Sequence, residues 1–213
     1  MELILARHGN TFEKGNPVYW VGAKEDLPLA SFATIQAERI AQALHRLNQI
    51  PTVIYSGTLQ RTKGFSRLIQ DFLNIDLETR TDVRLNEIDY GTWGGKTREA
   101  IIAEGHGAAL EAWEKEARWP ETGWGETEAT LRARIHAFAK DLALRHTEKE
   151  RALIISSNGC LRYFLELIPG ALNQHIAHNQ FKVATGHCCH LRYSPVGWQL
   201  QVWNQDPVTW ENV

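Results

Sequence analysis

The chain has 213 residues, of which 43% are hydrophobic and 23% charged, the balance of a soluble globular protein with enough length for one substantial core. Its formal net charge of −2 offers no overall positive field for nucleic acid or an acidic membrane surface, so an anionic ligand must be held by a local group of donors. Three cysteines, Cys160, Cys188 and Cys189, form no disulfide framework and fit a reducing compartment.

In chain order, Glu2 to Ala6 reads as a short buried strand that ends at Arg7-His8-Gly9. Four apolar residues before a charge are too few for a signal peptide or a membrane span, and a cytoplasmic location is expected. A polar loop runs from Asn10 to about Pro28. Helical spacing follows at Phe32, Ile35, Ile40, Leu44 and Leu47, closed by Pro51. Val53 to Ser56 is a second strand with a turn at Gly57-Thr58, and a helix then carries Arg61, Phe65, Leu68, Ile69 and Phe72.

This alternation predicts an α/β fold, a three-layer α/β/α sandwich around a mostly parallel sheet. Residues 91–125, rich in glycine and tryptophan, break the rhythm and read as a cap inserted into a single domain. Their Trp93, Trp119 and Trp124 are expected to pack the cap or to wall an organic substrate. Leu131, Ile135, Phe138 and Leu142 mark a further helix, and Ala152 to Ile155 a buried strand ending in Ser156-Ser157-Asn158-Gly159. Leu161, Phe164, Leu165 and Ile168 continue as a helix, and Cys188 to Tyr193 pairs with Trp198 to Trp203 as a hairpin.

Ligands of doubly wound sheets bind at the carboxyl ends of the strands. Here those ends carry Arg7-His8-Gly9-Asn10-Thr11, Ser56-Gly57-Thr58 with Arg61 just beyond, and Ser156-Ser157-Asn158-Gly159. Two arginines, a histidine, hydroxyls and amides suit a tetrahedral dianion, because the guanidinium fork donates two parallel hydrogen bonds. Each element alone is an ordinary turn or surface pair; their joint position at strand ends carries the reading. Other patterns carry less. Alternate residues of a strand face opposite sides, so His187-Cys188-Cys189-His190 cannot converge on one metal ion, and His175 and His178 lack a third ligand. Neither a Walker-type nor a dinucleotide-binding glycine motif occurs.

The ordered motifs resemble the histidine phosphatase superfamily, which includes the cofactor-dependent phosphoglycerate mutases. Leu5 to Thr11 is similar to its R-H-G-x-T signature, and Asp26-Leu27-Pro28-Leu29 with Gln36-Ala37 to its D-x-P-L…Q-A stretch. Tyr55 to Arg61 resembles Y-S-S-P-L-x-R, Leu85 to Gly95 resembles L-x-E-x-x-x-G-x-W-x-G, and Gly125-Glu126-Thr127 resembles G-E-S. The resemblance implies His8 as nucleophile, Arg7 and Arg61 as phosphate ligands, and Glu87 as the proton donor to the leaving group. It implies no metal and no cofactor, and a small phosphorylated substrate as the partner, with no nucleic acid and no membrane involved.

One position departs from the pattern: Ser157 stands where the family has its second histidine. Asn10, Thr11, Ser157 and Asn158 are then the expected substrate-binding residues, with His187 as an alternative donor from the next strand start. The departure leaves a catalytically impaired, phosphoester-binding domain as a second reading. A phosphomutase is a weaker third, because Lys14 lies about where mutases have a substrate-contacting asparagine and their long insertions are missing.

Overall fold

The computed structural model describes residues 1–121 and 123–211. Its sheet contains β1 (Glu2–Arg7), β2 (Val53–Ser56), β3 (Thr79–Thr81), β4 (Arg151–Ser156), β5 (Cys188–Ser194) and β6 (Gly197–Gln205), in the order β3-β2-β4-β1-β5-β6. The first four in that order are mutually parallel, while β5 is antiparallel to β1 and β6 to β5. The sheet is therefore mostly parallel, with an antiparallel hairpin on one side.

Strand periodicity sorts the core into two layers. Ile4, Ala6, Ile54, Leu153 and Ile155 face α1 (Ala33–Arg46) and α2 (Gln60–Leu73). Leu3, Leu5, Val53, Tyr55 and Ile154 face the opposite way, onto Leu131, Ile135, Phe138 and Leu142. Cys188 and Cys189 likewise fall on opposite faces, as the strand alternation requires.

Between β3 and the long helix at Glu128–Arg145 lie two single 3-10 turns, α3 (Arg98–Ile101), a π turn and α4 (Gly107–Glu116). The long helix is α5. Trp93, Ile101, Leu110 and Trp113 of this irregular segment are buried in the same cluster as Leu3 and Leu5, so it shares the core of the sheet. Beyond β4 come α6 (Asn158–Leu161), a 3-10 stretch at Arg162–Leu167 and α7 (Ala171–Ala177). The expected helix through Ile168 is thus a single α turn that tightens into 3-10 geometry.

Two helical stripes read from sequence need correction, and one strand was not read at all. In α1 the buried face is Ala33, Gln36, Ala37, Ile40, Ala41 and Leu44, whereas Phe32 and Ile35 are 42% and 43% exposed. Small alanines allow the helix to sit close to the sheet, and this shifts the buried stripe away from the larger side chains. Phe72 in α2 is exposed for the same geometric reason, since Phe65, Ile69 and Leu73 already fill the inward face. β3, with sequence Thr-Arg-Thr, has no apolar residue to announce it.

The corrected stripe has a direct test by urea unfolding. Ile40→Ala should cost about 2–5 kcal/mol, whereas Ile35→Ala should stay within about 0.5 kcal/mol of the parent. Equal losses would contradict this placement of α1.

Candidate active site

β4 lies between β1 and β2 and pairs in parallel with both, with Arg7 opposite Ser156 and Ser56 opposite Ile155. The three strands therefore end level. His8 N–H donates to the Ser156 carbonyl at 3.0 Å and Gly57 N–H to that of Ile155 at 3.1 Å, so the loops leave the sheet from fixed points. Gly9 is required directly after the histidine: a Cβ there would lie 2.6 Å from the Ala33 Cβ and 2.9 Å from the Phe65 ring.

A cavity of about 1160 Å3 opens at these ends, lined at its base by Arg7, His8, Asn10, Arg61, Glu87 and Asn158. The His8 ring is buried, and its Nδ1 lies 2.8 Å from the Gly9 carbonyl. A carbonyl can only accept, so the neutral ring carries its proton on Nδ1 and keeps a lone pair on Nε2. Burial, reinforced by the charges of Arg7 and Arg61, pushes the His8 pKa down to about 3. The ring is a free base at neutral pH.

Arg61 is 1% exposed, and its two terminal nitrogens donate to the carbonyls of Glu25 at 2.6 Å and Gly22 at 2.8 Å. The polar loop after β1 thus aims a residue of α2. Arg7 donates to the Val183 carbonyl at 2.7 Å, and its Nε is buried without a partner. Asn10 receives Thr185 Oγ1 on its side-chain oxygen at 2.6 Å, and Asn158 receives the Val183 N–H at 2.9 Å. Both amides are therefore turned so that their NH2 groups remain as donors. Thr11 also lines the cavity.

Glu87 is 6% exposed and accepts three backbone N–H groups: Ile88 at 2.9 Å and Cys160 at 3.1 Å on Oε1, and Gly159 at 3.0 Å on Oε2. Two of the donors belong to the first turn after β4. Close approach explains Gly159, because a Cβ there would collide with Glu87 Oε1 and crowd the Tyr90 hydroxyl at 2.6 Å.

Two of the expected binding residues do not line the cavity. Ser157 is 2% exposed, its hydroxyl is buried without a hydrogen-bond partner, and it does not line the cavity. His187 does not line the cavity either. Its carbonyl accepts from Arg7 N–H at 3.1 Å, and its ring turns to the Asn204 carbonyl at 3.1 Å on β6. Pairing of β5 with β1 fixes that backbone and points the ring at the hairpin.

Several residues at the site were given no role from sequence. Tyr90 and Thr185 line the cavity, and Gln36 braces Asn10 by donating to the Asn10 side-chain oxygen at 3.2 Å while accepting its backbone N–H at 2.8 Å. Arg162 is buried with Nε and Nη1 unpartnered, its guanidinium 4.1 Å from the centre of the Trp113 ring and 4.9 Å from that of Phe181. The D-x-P-L…Q-A resemblance already marked Gln36; only tertiary packing reveals the others.

The family model for histidine phosphatase superfamily (branch 1) matches residues 3–206. The chain belongs to the histidine phosphatase superfamily. Among members of that superfamily, phosphoserine phosphatase 1 of Hydrogenobacter thermophilus is 32% identical over 146 residues, spanning 68% of this chain and 66% of that protein, just short of two thirds. Glucosyl-3-phosphoglycerate phosphatase of Mycobacterium tuberculosis is 26% identical over 95% of this chain and 93% of its own length. The fold is shared with the alpha-ribazole phosphatase of Shigella flexneri, with a TM-score of 0.76, 22% identity and 100% of both chains covered.

The histidine's state can be read directly. In a 15N NMR titration of the unliganded protein, the His8 ring should remain neutral, with its proton on Nδ1, at pH about 5, well below the ordinary value of about 6.5. A midpoint close to about 6.5 would contradict the burial and charge effects described above.

Proposed function

We propose that this chain hydrolyses a phosphate monoester through a phosphohistidine on His8, with Arg7, Arg61, Asn10 and Asn158 holding the phosphoryl oxygens and Glu87 moving the proton. The observation that carries the proposal is the pairing of a free-base Nε2 on His8 with the buried Arg61 and half-buried Arg7 guanidiniums in one cavity. Phosphomonoester hydrolysis is also the activity that the superfamily and its phosphoserine and glucosyl-3-phosphoglycerate phosphatases support.

Glu87, a carboxylate in the resting site, takes up a proton as the phosphate ester binds. In the first step the Nε2–phosphorus bond forms as the ester P–O bond breaks, and that proton passes from Glu87 to the departing oxygen. In the second, Glu87 takes a proton from water, the new O–P bond forms and the N–P bond breaks. Arg7 and Arg61 supply the positive charge that a metal ion supplies in other phosphoryl-transfer sites. A carboxylate offers about four lone-pair positions, and the three backbone donors occupy two on Oε1 and one on Oε2. The position left belongs to Oε2, which is therefore the atom assigned to the proton.

Residues 91–125 are taken as a cap, of which Thr97, Arg98, Glu99 and Glu114 contribute to the outer part of the cavity. Ser157 stands in the place of the family's second histidine, and this one departure favours the second reading, a binding domain with little turnover. Ser157→Ala distinguishes whether the hydroxyl itself takes part. Because it makes no hydrogen bond and does not line the cavity, its removal should change kcat/KM by less than about twofold.

The leaving group tests the acid. Glu87→Gln should lower kcat on an alkyl phosphate by about 10²-fold or more, and much less on 4-nitrophenyl phosphate, whose phenolate departs unprotonated. His8→Ala should abolish turnover of both. Equal losses for the two esters in Glu87→Gln, or wild-type turnover no greater than that of His8→Ala, would overturn the proposal.

A further inference from the structure

We infer, building on the phosphatase reading above, that the alcohol released from the ester is uncharged and carries a ring system. The cavity of about 1160 Å3 exceeds the roughly 300–1,000 Å3 typical of small-molecule pockets. The base occupied by the phosphoryl group is a minor part of it. A three-carbon leaving group would leave most of this volume empty.

The rest of the wall is aromatic. Phe12, Tyr19, Trp20 and Phe32 all line it, and Val18 extends the apolar surface toward solvent. Phe12 and Tyr19 pack edge to face at 4.7 Å, while Trp20 stands edge-on to Tyr90 at 4.9 Å and Trp93 at 5.4 Å. Trp93, Trp119 and Trp124 of the cap do not reach the cavity; they buttress it. The wall is held in place by a bridge between Tyr19 and Thr97, by Trp20 N–H donating to Lys96 O at 2.9 Å, and by Gly95 N–H donating to Trp20 O at 2.8 Å. It is a formed surface to which rings can stack without a large ordering cost.

The charges in the outer wall oppose a second anion. Glu13, Glu99 and Glu114 outnumber Lys14 and Arg98 there. Arg98 is already paired with Glu114, and Glu13 is held by the backbone and hydroxyl of Ser31 at 2.6 and 2.7 Å. Lys14, Glu13 and Glu99 are all exposed, so screening weakens each of them alike and leaves the excess of one carboxylate as the net effect. Arg162 lies behind the wall on Trp113 and Phe181 and does not line the cavity. A second phosphate or a carboxylate on the leaving group would meet an outer wall with one more carboxylate than cations, where Arg98 is already neutralised by Glu114 and the exposed Lys14 is the remaining cation.

The test compares four probes on the intact protein: adenosine 5′-monophosphate, ribose 5-phosphate, adenosine 3′,5′-bisphosphate and phosphoserine. The first should exceed the second in kcat/KM by about tenfold through ring stacking. The added 3′-phosphate should lower kcat/KM by about tenfold through repulsion, and phosphoserine should rank with the poor substrates. Phe32→Ala, at an exposed position that should not disturb folding, should shrink the advantage of the adenosine ester several-fold. Phosphoserine or the bisphosphate matching or surpassing adenosine 5′-monophosphate overturns the inference. Calorimetric binding of the same probes to His8→Ala keeps the two readings separate. The same order in binding without wild-type turnover supports this inference and overturns the phosphatase reading. Turnover with preference for the small or doubly charged esters does the reverse.

Discussion

Every polar group of the site depends on β4 running between β1 and β2 and pairing in parallel with both. This wedge makes three strands finish at one level, and the backbone bonds from His8 to Ser156 and from Gly57 to Ile155 fix where each loop departs. His8 then stands at the end of β1, Arg61 enters from the helix after β2, and the amides of Gly159 and Cys160 follow β4 to receive Glu87. None of these side chains is near another in sequence. Their convergence follows from strand order, in the way ligand sites of α/β sheets generally do.

The same convergence concentrates positive charge where water is scarce. Burial lowers the pKa of Arg7, Arg61 and Arg162, while the Glu87 charge opposes that effect at each of them. The carboxylate thus has an electrostatic role in the resting site besides its assigned proton transfer. His8 yields to the same field and stays neutral, which suits a nucleophile but disfavours it as a cation. A bound dianion relieves the repulsion among the arginines. A site arranged this way is complementary to the phosphoryl group before the group arrives, and catalytic stabilisation relies on such preorganisation.

Much of this was legible in the chain itself. β1, β2 and β4 announce themselves through apolar runs and the β5–β6 hairpin through alternation around a turn, and Arg7 and His8 at a strand end with Arg61 just beyond another stand where chemistry is expected. Gln36 was visible as part of the D-x-P-L…Q-A stretch, but its bracing of Asn10 was not. Legibility ends where a residue's role depends on packing. Phe32, Ile35 and Phe72 follow a helical period yet stay exposed, because alanines and other apolar residues take the inward stripe. The three-residue β3 carries no hydrophobic signal at all. Ser157 and His187 sit at the expected places in the backbone, but the Ser157 hydroxyl is buried without a partner and the His187 ring is turned toward β6. The carboxyl-orienting amides of Gly159 and Cys160 have no side-chain signature, and neither does the stacking of Arg162 on two rings.

The covalent intermediate tests the central claim most directly. Substrate mixed rapidly with the protein and quenched in alkali should leave a phosphoryl group on the His8 peptide, identified by mass spectrometry, stable to base and labile to acid. It should form before steady-state phosphate release, to no more than one per molecule, and be absent from His8→Ala. Rapid phosphate release with no phosphoryl group on His8, or with the group on another residue, would contradict the account.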